Sequence, residues 1–383
     1  MEKLSVFILI CWHFAFFWRF YRNPNLMATS ELLSNFFPQW LWAGRQWKSL
    51  NTPFRDRIYY LFPACIPFLS TFYPISALSS LLGAFLCEKR AFKLYSYMIL
   101  LHYLLGSVLA LHMLTQWFPV NVGLLGAISL NYNAYNIKIY TPCFAYTSCW
   151  IMGILLPFPY GALCFGMAIL GGYWPILTVS LPVMLYNLSA CWGALIGLPQ
   201  LIPFLWYWPR SIRSKRKPDS RWGRMPWKRY FVNLRFPENG VHYPELAFGV
   251  GICLPLALYH FCFQHFGGWA IFTIVGVLGA SGLFVIDRIP SRFNYLTSFS
   301  LIMASLFAIR GTISVVPMII LQCFLLWKWR YQYPHFPFAQ WWKRKVELSI
   351  FTGKNWPNNT GYMKEEHHQD YFGGFALVEN YHE

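Results

Sequence analysis

Long apolar runs separated by polar stretches constrain the fold of this chain more than any other feature. The first run extends from Leu4 to Phe20, and similar runs recur as far as Leu326. Only 12% of the residues are charged, about half the fraction that is usual in soluble domains, and 56% are hydrophobic. Helices made of such runs satisfy their own backbone polar groups in a bilayer. The pattern predicts an all-α polytopic integral membrane protein.

The order of the apolar runs predicts about ten or eleven membrane-spanning helices over residues 1–327, followed by a polar tail over residues 328–383. Ser5–Phe20 is the first predicted span, Ile75–Leu86 the second and Leu94–Leu114 the third. No small-residue cleavage site follows the first run, so we expect a retained span rather than a signal peptide.

A polar stretch over residues 21–74 follows the first predicted span. Thr29 or Ser30 can cap a short helix over Glu31–Trp42, and the apolar residues of this helix share one side. Gly44 is expected to end it. The prolines that follow argue against one continuous helix over the rest of the stretch, which is nevertheless apolar enough to re-enter a bilayer. We predict an interfacial helix that lies on the membrane surface.

Glu31 and Asp56 are the candidate catalytic carboxylates of this first stretch, in a chain with only 14 acidic residues. Carboxylates are costly near a membrane and tend to be kept for function. Glu31 is the stronger candidate for a general base, although a charge that stabilises a helix N-terminus is an equal alternative. Asp56 is flanked by Arg55 and Arg57, so a local ion pair is the simpler interpretation there.

Two further polar stretches carry candidate phosphate-binding residues. Residues 208–245 are rich in lysine and arginine, among them Arg224 and Lys228. The other stretch is a short turn, and its candidate residues are Asp287, Arg288 and Arg292. Two arginines four positions apart across a proline can fork onto a phosphate, while simple solvation of the loop is the alternative. An even number of predicted spans separates each stretch from the next, so residues 21–74, 208–245 and the turn are predicted to share one side of the membrane.

His102 lies inside an apolar run. A satisfied hydrogen bond between helices is the default interpretation, and contact with a substrate is the sharper alternative. The ten cysteines include no CxxC pair and are expected to pack as small apolar residues. We expect no cofactor; a divalent metal stays open, but no ligand spacing in the sequence supports one.

The net charge of +17 bears on the expected partners. On a soluble protein it would indicate nucleic acid, but here the charges lie between apolar runs, so membrane lipids with anionic headgroups are expected instead. The alternative is that lysine and arginine only mark the cytoplasmic side of the membrane.

Several short motifs follow one another along residues 5–311. In order they are Glu31, Phe36-Phe37-Pro38, Phe72-Tyr73-Pro74, Leu101-His102 with Gly106, Gly126-Ala127 followed by Tyr135-Asn136, Gly171-Gly172, Gln200 to Pro203, and Arg288 to Phe293. This order resembles that of the YfhO-like bacterial membrane proteins, which are placed with the GT-C type glycosyltransferases. The chain is shorter than such proteins and has Glu31 where the family has Asp, so it resembles a shortened member.

The resemblance implies a GT-C-like helical bundle with a long first loop, located in the bacterial inner membrane. It implies transfer of a sugar from a polyprenyl-phosphate donor to cell-envelope glycans or lipids on the extracytoplasmic face. Glu31 would then be the base, and Arg288 and Arg292 would stabilise the phosphate leaving group. The positive-inside rule instead favours the cytoplasm for the basic stretches. The alternatives are a non-catalytic transporter or lipid-handling membrane protein, or a membrane scaffold without a small-molecule site.

Overall fold

The computed structural model describes residues 2–27, 37–48, 72–133, 142–207, 249–283, 290–311 and 314–329. These ranges form helices and turns, and they contain no strand. The predicted all-α class is therefore confirmed for the part of the chain that the structure describes.

The α-helices are short, with one exception. In chain order they are α1 (Glu2–Phe16), α2 (Trp18–Arg22), α3 (Phe37–Lys48), α4 (Pro74–Gly83), α5 (Glu88–Thr115), α6 (Val120–Tyr132), α7 (Pro142–Ile151), α8 (Tyr160–Gly171), α9 (Trp174–Ser180), α10 (Ala194–Tyr207), α11 (Cys253–Tyr259), α12 (Gly268–Ala280), α13 (Asn294–Ala308) and α14 (Val316–Trp329). Short 3₁₀ helices cover Pro24–Met27, Leu181–Tyr186, Leu188–Gly193 and Pro290–Phe293, and a π-helical turn covers His260–Gln264.

The exception is α5, which has 28 residues and a length of about 42 Å. Within the described ranges it is the one helix that is long and apolar enough to cross a membrane, whose hydrocarbon core is about 30 Å thick. It contains the predicted span Leu94–Leu114. The shorter apolar helices have 10–17 residues.

Helix α4 differs from the predicted span Ile75–Leu86. It has ten residues, about 15 Å in length, and begins beside the fully buried Tyr73. The Tyr73 hydroxyl lies 2.8 Å from Nε2 of His102, near the middle of α5. Helix α4 then returns to the start of α5 through residues 84–87. It therefore covers only the first half of α5.

Helix α3 also differs from expectation, because it continues through Gly44 to Lys48. A Cβ at Gly44 would overlap the backbone carbonyl of Ser80, so the absence of a side chain lets α3 and α4 approach closely. Trp40 packs against Gly83 in the same contact. Gly44 is a packing residue within a helix rather than a helix terminator.

The core is built around α5, α6 and α13. Every residue of α6 from Val122 to Tyr132 is buried, as is every residue of α13 from Asn294 to Leu306. A Cβ at Gly126 would press on Leu114 of α5 and Leu306 of α13, so this glycine lets the three helices meet.

The helices run between two ends of the bundle, which differ in composition. We call the end at the start of α5 the basic end; its described residues include Arg22, Arg45, Lys48, Glu88 and Lys93. Helix α1 runs antiparallel to α5, because Phe17 contacts Tyr103 and the Tyr97 hydroxyl donates to the carbonyl of Tyr21. The end of α2 and helix α3 therefore lie beside the first turns of α5.

We call the opposite end the turn end, because described turns connect its helices. Its members are joined by contacts of Phe118 with Phe307, His260 with Phe307, Gln264 with Ala308, Gly268 with Tyr186 and Asn187 with Leu156. Of the described lysines and arginines, only Lys3 and Arg310 lie toward this end.

Helices α2, α10 and α12 each precede a polar stretch, and each ends toward the basic end. Helix α10 runs parallel to α8 and reaches Trp174, on which Phe204 stacks at 3.9 Å between ring centroids. Helix α12 runs antiparallel to α13, because Gly276 meets Thr297 and Gly279 meets Phe293. The described residues that flank the three polar stretches thus share one end. The stretches 208–245 and 284–289 themselves lie outside the described residues, and their common side stays a prediction.

Candidate functional site

Two of the predicted site residues, His102 and Arg292, lie within the described residues. The others lie outside them: Glu31, Asp56, Arg224, Lys228, Asp287 and Arg288.

His102 is buried on α5, and both of its ring nitrogens have partners. Nδ1 lies 2.6 Å from the carbonyl oxygen of Met98, which can only accept, so Nδ1 carries the proton. Nε2 then accepts from the hydroxyl of Tyr73 at 2.8 Å. The indole Nε1 of Trp150 donates to the same hydroxyl at 2.8 Å. The default interpretation of His102, a hydrogen bond between helices, is what the structure contains.

The local sequence places Tyr73 at this point. It adopts an extended backbone conformation immediately before Pro74, and proline is favoured at the first position of a helix because it needs no backbone donor there. The Tyr-Pro step therefore starts α4. The Tyr73 side chain is fixed beside His102 by this geometry.

Helix α7 connects the histidine to a second group of contacts. The ring of Tyr146 lies 4.3 Å from His102 and stacks 4.9 Å from Tyr73, measured between centroids. The next residue, Thr147, accepts the backbone N–H of Tyr173 at 3.0 Å and donates to the carbonyl of Ala168 at 3.3 Å.

Arg292 belongs to this second group. Its guanidinium carbon lies 5.8 Å from the centroid of the Tyr173 ring, a distance that suits a cation–π contact. Tyr146 and Thr147 are adjacent in sequence, so α7 joins His102 on one side to Tyr173 and Arg292 on the other. We call the set Tyr73, His102, Tyr146, Thr147, Trp150, Tyr173 and Arg292 the α7 cluster.

A glycine pair shapes the same region. A Cβ at Gly171 would press on Thr147, and Gly172 adopts a left-handed conformation with φ of 76° at the end of α8. A left-handed residue after a helix is usually glycine, since other residues meet a steric penalty there. The pair turns the chain so that Tyr173 can reach Thr147.

A second buried histidine was not among the predicted site residues. His13 on α1 lies 2.9 Å from the hydroxyl of Tyr132 and 2.8 Å from that of Tyr21. The hydroxyl of Ser107 donates to Tyr132 at 3.2 Å. His13, like His102, is a histidine within an apolar run. The same sequence signal could therefore have identified it.

Gln322 forms a third buried polar group that the sequence did not indicate. Its Nε2 donates to the Ser129 hydroxyl at 3.1 Å and to the Val250 carbonyl at 3.2 Å, while its Oε1 accepts the backbone N–H of Ile252 at 3.0 Å. All three partners come from other elements, so Gln322 ties α14 to α6 and to the start of the α11 segment.

The described part of the chain offers little for acid–base or metal chemistry. Its carboxylates are Glu2 and Glu88, and Glu88 pairs with Arg45 at 3.6 Å. No group of three or more His, Cys, Asp or Glu side chains within the described ranges could hold a metal ion. Eight cysteines whose side chains the structure describes are free thiols: Cys11, Cys87, Cys149, Cys164, Cys191, Cys253, Cys262 and Cys323. The α7 cluster contains no carboxylate among the residues that the structure describes.

Comparison of the chain with protein-family models, with curated proteins and with solved structures finds no match.

Proposed function

We propose that the protein is a multi-pass membrane protein. Support comes from two features of the side-chain distribution around a mostly apolar core. Hydroxyl, amide and imidazole side chains are buried between helices, whereas many large apolar side chains are exposed. Examples of the exposed ones are Leu4, Phe7, Trp18, Leu185, Leu188, Trp192, Leu195, Ile202, Ile271, Ile320 and Phe324. Soluble monomers rarely expose apolar surface on this scale, and lipid would cover it.

The short central helices are compatible with this proposal. Helices α6 and α13 measure about 20 Å and 22 Å, less than the hydrocarbon thickness. Interrupted helices occur at membrane depth where protein surrounds them, and both helices are buried along almost their whole length. In the proposed arrangement, α5 crosses the membrane and the shorter helices pack around it.

We further propose that the protein is a GT-C-like glycosyltransferase that uses a polyprenyl-phosphate-linked sugar. The observation that carries this proposal is the α7 cluster. Tyr73, His102, Gly171 and Arg292 belong to separate motifs of the resemblance and lie far apart in sequence. The first three contact Tyr146 or Thr147 of α7, and Arg292 lies over the ring of Tyr173, whose backbone N–H donates to Thr147.

In the proposed mechanism, the cluster positions the groups that react. Glu31 takes a proton from the acceptor hydroxyl as the acceptor oxygen forms its bond to the sugar. The bond between the sugar and the phosphate oxygen breaks, and the polyprenyl phosphate leaves with the electron pair. Arg288 and Arg292 stabilise the negative charge on that phosphate.

Glu31→Gln tests the transferase proposal. With the purified protein in lipid nanodiscs and a radiolabelled polyprenyl-phosphate sugar, we expect product formation to fall at least about 100-fold while donor binding persists, because the amide cannot accept the proton. Glu88→Gln is the matched control and should retain activity, since Glu88 pairs with Arg45 at the surface.

Two outcomes would contradict parts of this proposal. Turnover by the Glu31→Gln variant equal to that of the unaltered protein would exclude Glu31 as the base. Binding of the lipid without product formation by the unaltered protein would favour the lipid-handling alternative. The membrane proposal has its own test, extraction of membranes at alkaline pH. We expect the protein to stay in the pellet, and its release into the supernatant would refute a multi-pass arrangement.

A further inference from the structure

Cations from two elements surround one apolar turn at the basic end. Helix α3 contributes Arg45 and Lys48, and the start of α5 contributes Lys89, Arg90 and Lys93. All five side chains are exposed. They flank residues 84–87, which connect α4 to α5. Within the described residues of this surface, Glu88 is the single acid, so the surface carries a clear excess of positive charge.

The position of the α3 cations in this surface is fixed, because close packing holds α3 in place. The absence of a side chain at Gly44 lets α3 lie on the backbone of Ser80, and Trp40 covers Gly83. Phe37 packs edge-on against Phe92 with 5.1 Å between ring centroids. Arg45 and Lys48 follow these contacts in the last turn of α3 and are therefore held beside the start of α5.

Exposed apolar side chains lie between these two groups of cations in the chain. Phe85 is 65% exposed and Leu82 is 52% exposed, and Leu86 lies beside them. The ammonium of Lys48 lies 4.5 Å from the centroid of the Phe85 ring. A nucleic acid would match the cations but would leave these apolar groups without a partner. A lipid surface matches both, because acyl chains accept the apolar groups and headgroups accept the cations.

We propose that this surface binds the phosphate headgroups of anionic glycerophospholipids, with Phe85 and Leu86 inserted among the acyl chains. Arg45 is the ligand best suited to grip a phosphate, because its planar guanidinium presents several donors. Lys89, Arg90 and Lys93 supply further attraction to an anionic bilayer surface. Glu88 keeps Arg45 oriented at 3.6 Å without cancelling the charge of the other four cations. The inference rests on the proposed membrane location of the protein.

Photo-crosslinking tests this inference at the residues themselves. The full-length protein is reconstituted into vesicles with a photoactivatable phosphatidylglycerol or, in parallel, with a phosphatidylcholine that carries the same reactive group. We expect the peptide that contains Phe85 and Lys89 to crosslink several-fold more to phosphatidylglycerol. The triple variant K89Q/R90Q/K93Q should lower this yield several-fold, to the level of phosphatidylcholine. Higher salt should lower it as well, since the charges are exposed.

Matched variants separate loss of the surface from loss of the fold. The variant K3Q/R310Q removes two exposed cations from the turn end and should leave crosslinking unchanged. The variant K89R/K93R keeps the charge and should retain the preference for phosphatidylglycerol.

Equal yields with the two lipids, or an unchanged yield in the triple variant, would overturn the inference. Displacement of phosphatidylglycerol by a short-chain polyprenyl phosphate would also overturn it, because the surface would then belong to the proposed donor. Alkaline extraction distinguishes a failure of this inference from a failure of the proposed membrane location. A protein that stays in the membrane yet shows no lipid preference refutes only this surface, whereas an extracted protein refutes the membrane location.

Discussion

The turn end and the basic end of the bundle differ in the polar side chains that they contain. At the turn end, side chains bond to the carbonyls of neighbouring elements: Asn187 donates to the carbonyls of Ile154 and Leu156, and Gln264 donates to that of Ala308. At the basic end, α3 and the end of α4 pack against the first turns of α5 and place exposed cations of α3 and α5 near one another. The described side chains of the turn end thus bond mainly within the bundle, whereas those of the basic end include most of the exposed cations. The difference shows that the charges are segregated to one end, which is where we propose that lipids bind.

The largest expected effect concerns the sidedness of the two ends. In a variant that lacks the native cysteines, single substitutions Lys89→Cys, Lys217→Cys and Arg310→Cys would be labelled with a membrane-impermeant thiol reagent. We expect the first two sites to react from one side of the membrane and the third only from the other, because α5 runs from the basic end to the turn end.

Labelling of Lys89→Cys and Arg310→Cys from the same side would break the comparison between the ends. The side itself matters for function. The transferase proposal requires the basic end to face away from the cytoplasm, whereas the positive-inside rule favours the cytoplasm. Reaction of Lys217→Cys from the cytoplasm would therefore overturn an extracytoplasmic transferase.

The next largest effect is expected at Gly44, on which the basic end depends. Gly44→Val would drive a side chain into the backbone of Ser80, which cannot rotate away. We expect a loss of about 3 kcal/mol in the free energy of unfolding. Thermal unfolding in detergent, followed by tryptophan fluorescence, measures it. Gly311→Ala at the turn end is the control, because a Cβ there meets nothing within 4 Å; equal effects of the two substitutions would contradict the packing of α3.

A smaller effect is expected at Tyr73, between the two ends. Tyr73→Phe removes the hydroxyl that accepts from Trp150 and donates to His102, so two buried polar atoms lose their partner. We expect a loss of about 1–2 kcal/mol in the free energy of unfolding, measured in the same way. Tyr160→Phe, at an exposed position, should be neutral within error. A neutral Tyr73→Phe would argue against the buried hydrogen-bond chain.

The smallest effect is expected for the ion pair at the basic end. The side chains of Arg45 and Glu88 are 46% and 35% exposed, and solvent screens pairs of this kind. We expect Glu88→Gln to change the free energy of unfolding by no more than about 0.5 kcal/mol. A loss of several times that amount would mean that the pair, rather than the packing at Gly44, holds α3 in place.

Some features of the site could be predicted from single residues. A histidine in an apolar run needs a hydrogen-bond partner, and this reasoning applied equally well to His13 and to His102. The partners could not be predicted, because Tyr132 lies 119 positions from His13 and Trp150 lies 77 positions from Tyr73. Gly44 was misinterpreted as a helix terminator, because a glycine that ends a helix and one that admits a neighbouring backbone look alike in sequence.

The amino-acid sequence by itself determined the helical class, the long helix α5 and the segregation of charge into a few stretches. These follow from local composition, since apolar runs favour helices and charged residues avoid apolar surroundings. Only the tertiary structure decided that α4 covers half of α5, that α7 gathers residues of separate motifs, and that α3 stands beside the start of α5. Each of these three arrangements depends on which helices can approach closely. Small residues such as Gly44 and Gly171 permit the close approach through contacts with residues distant in the chain.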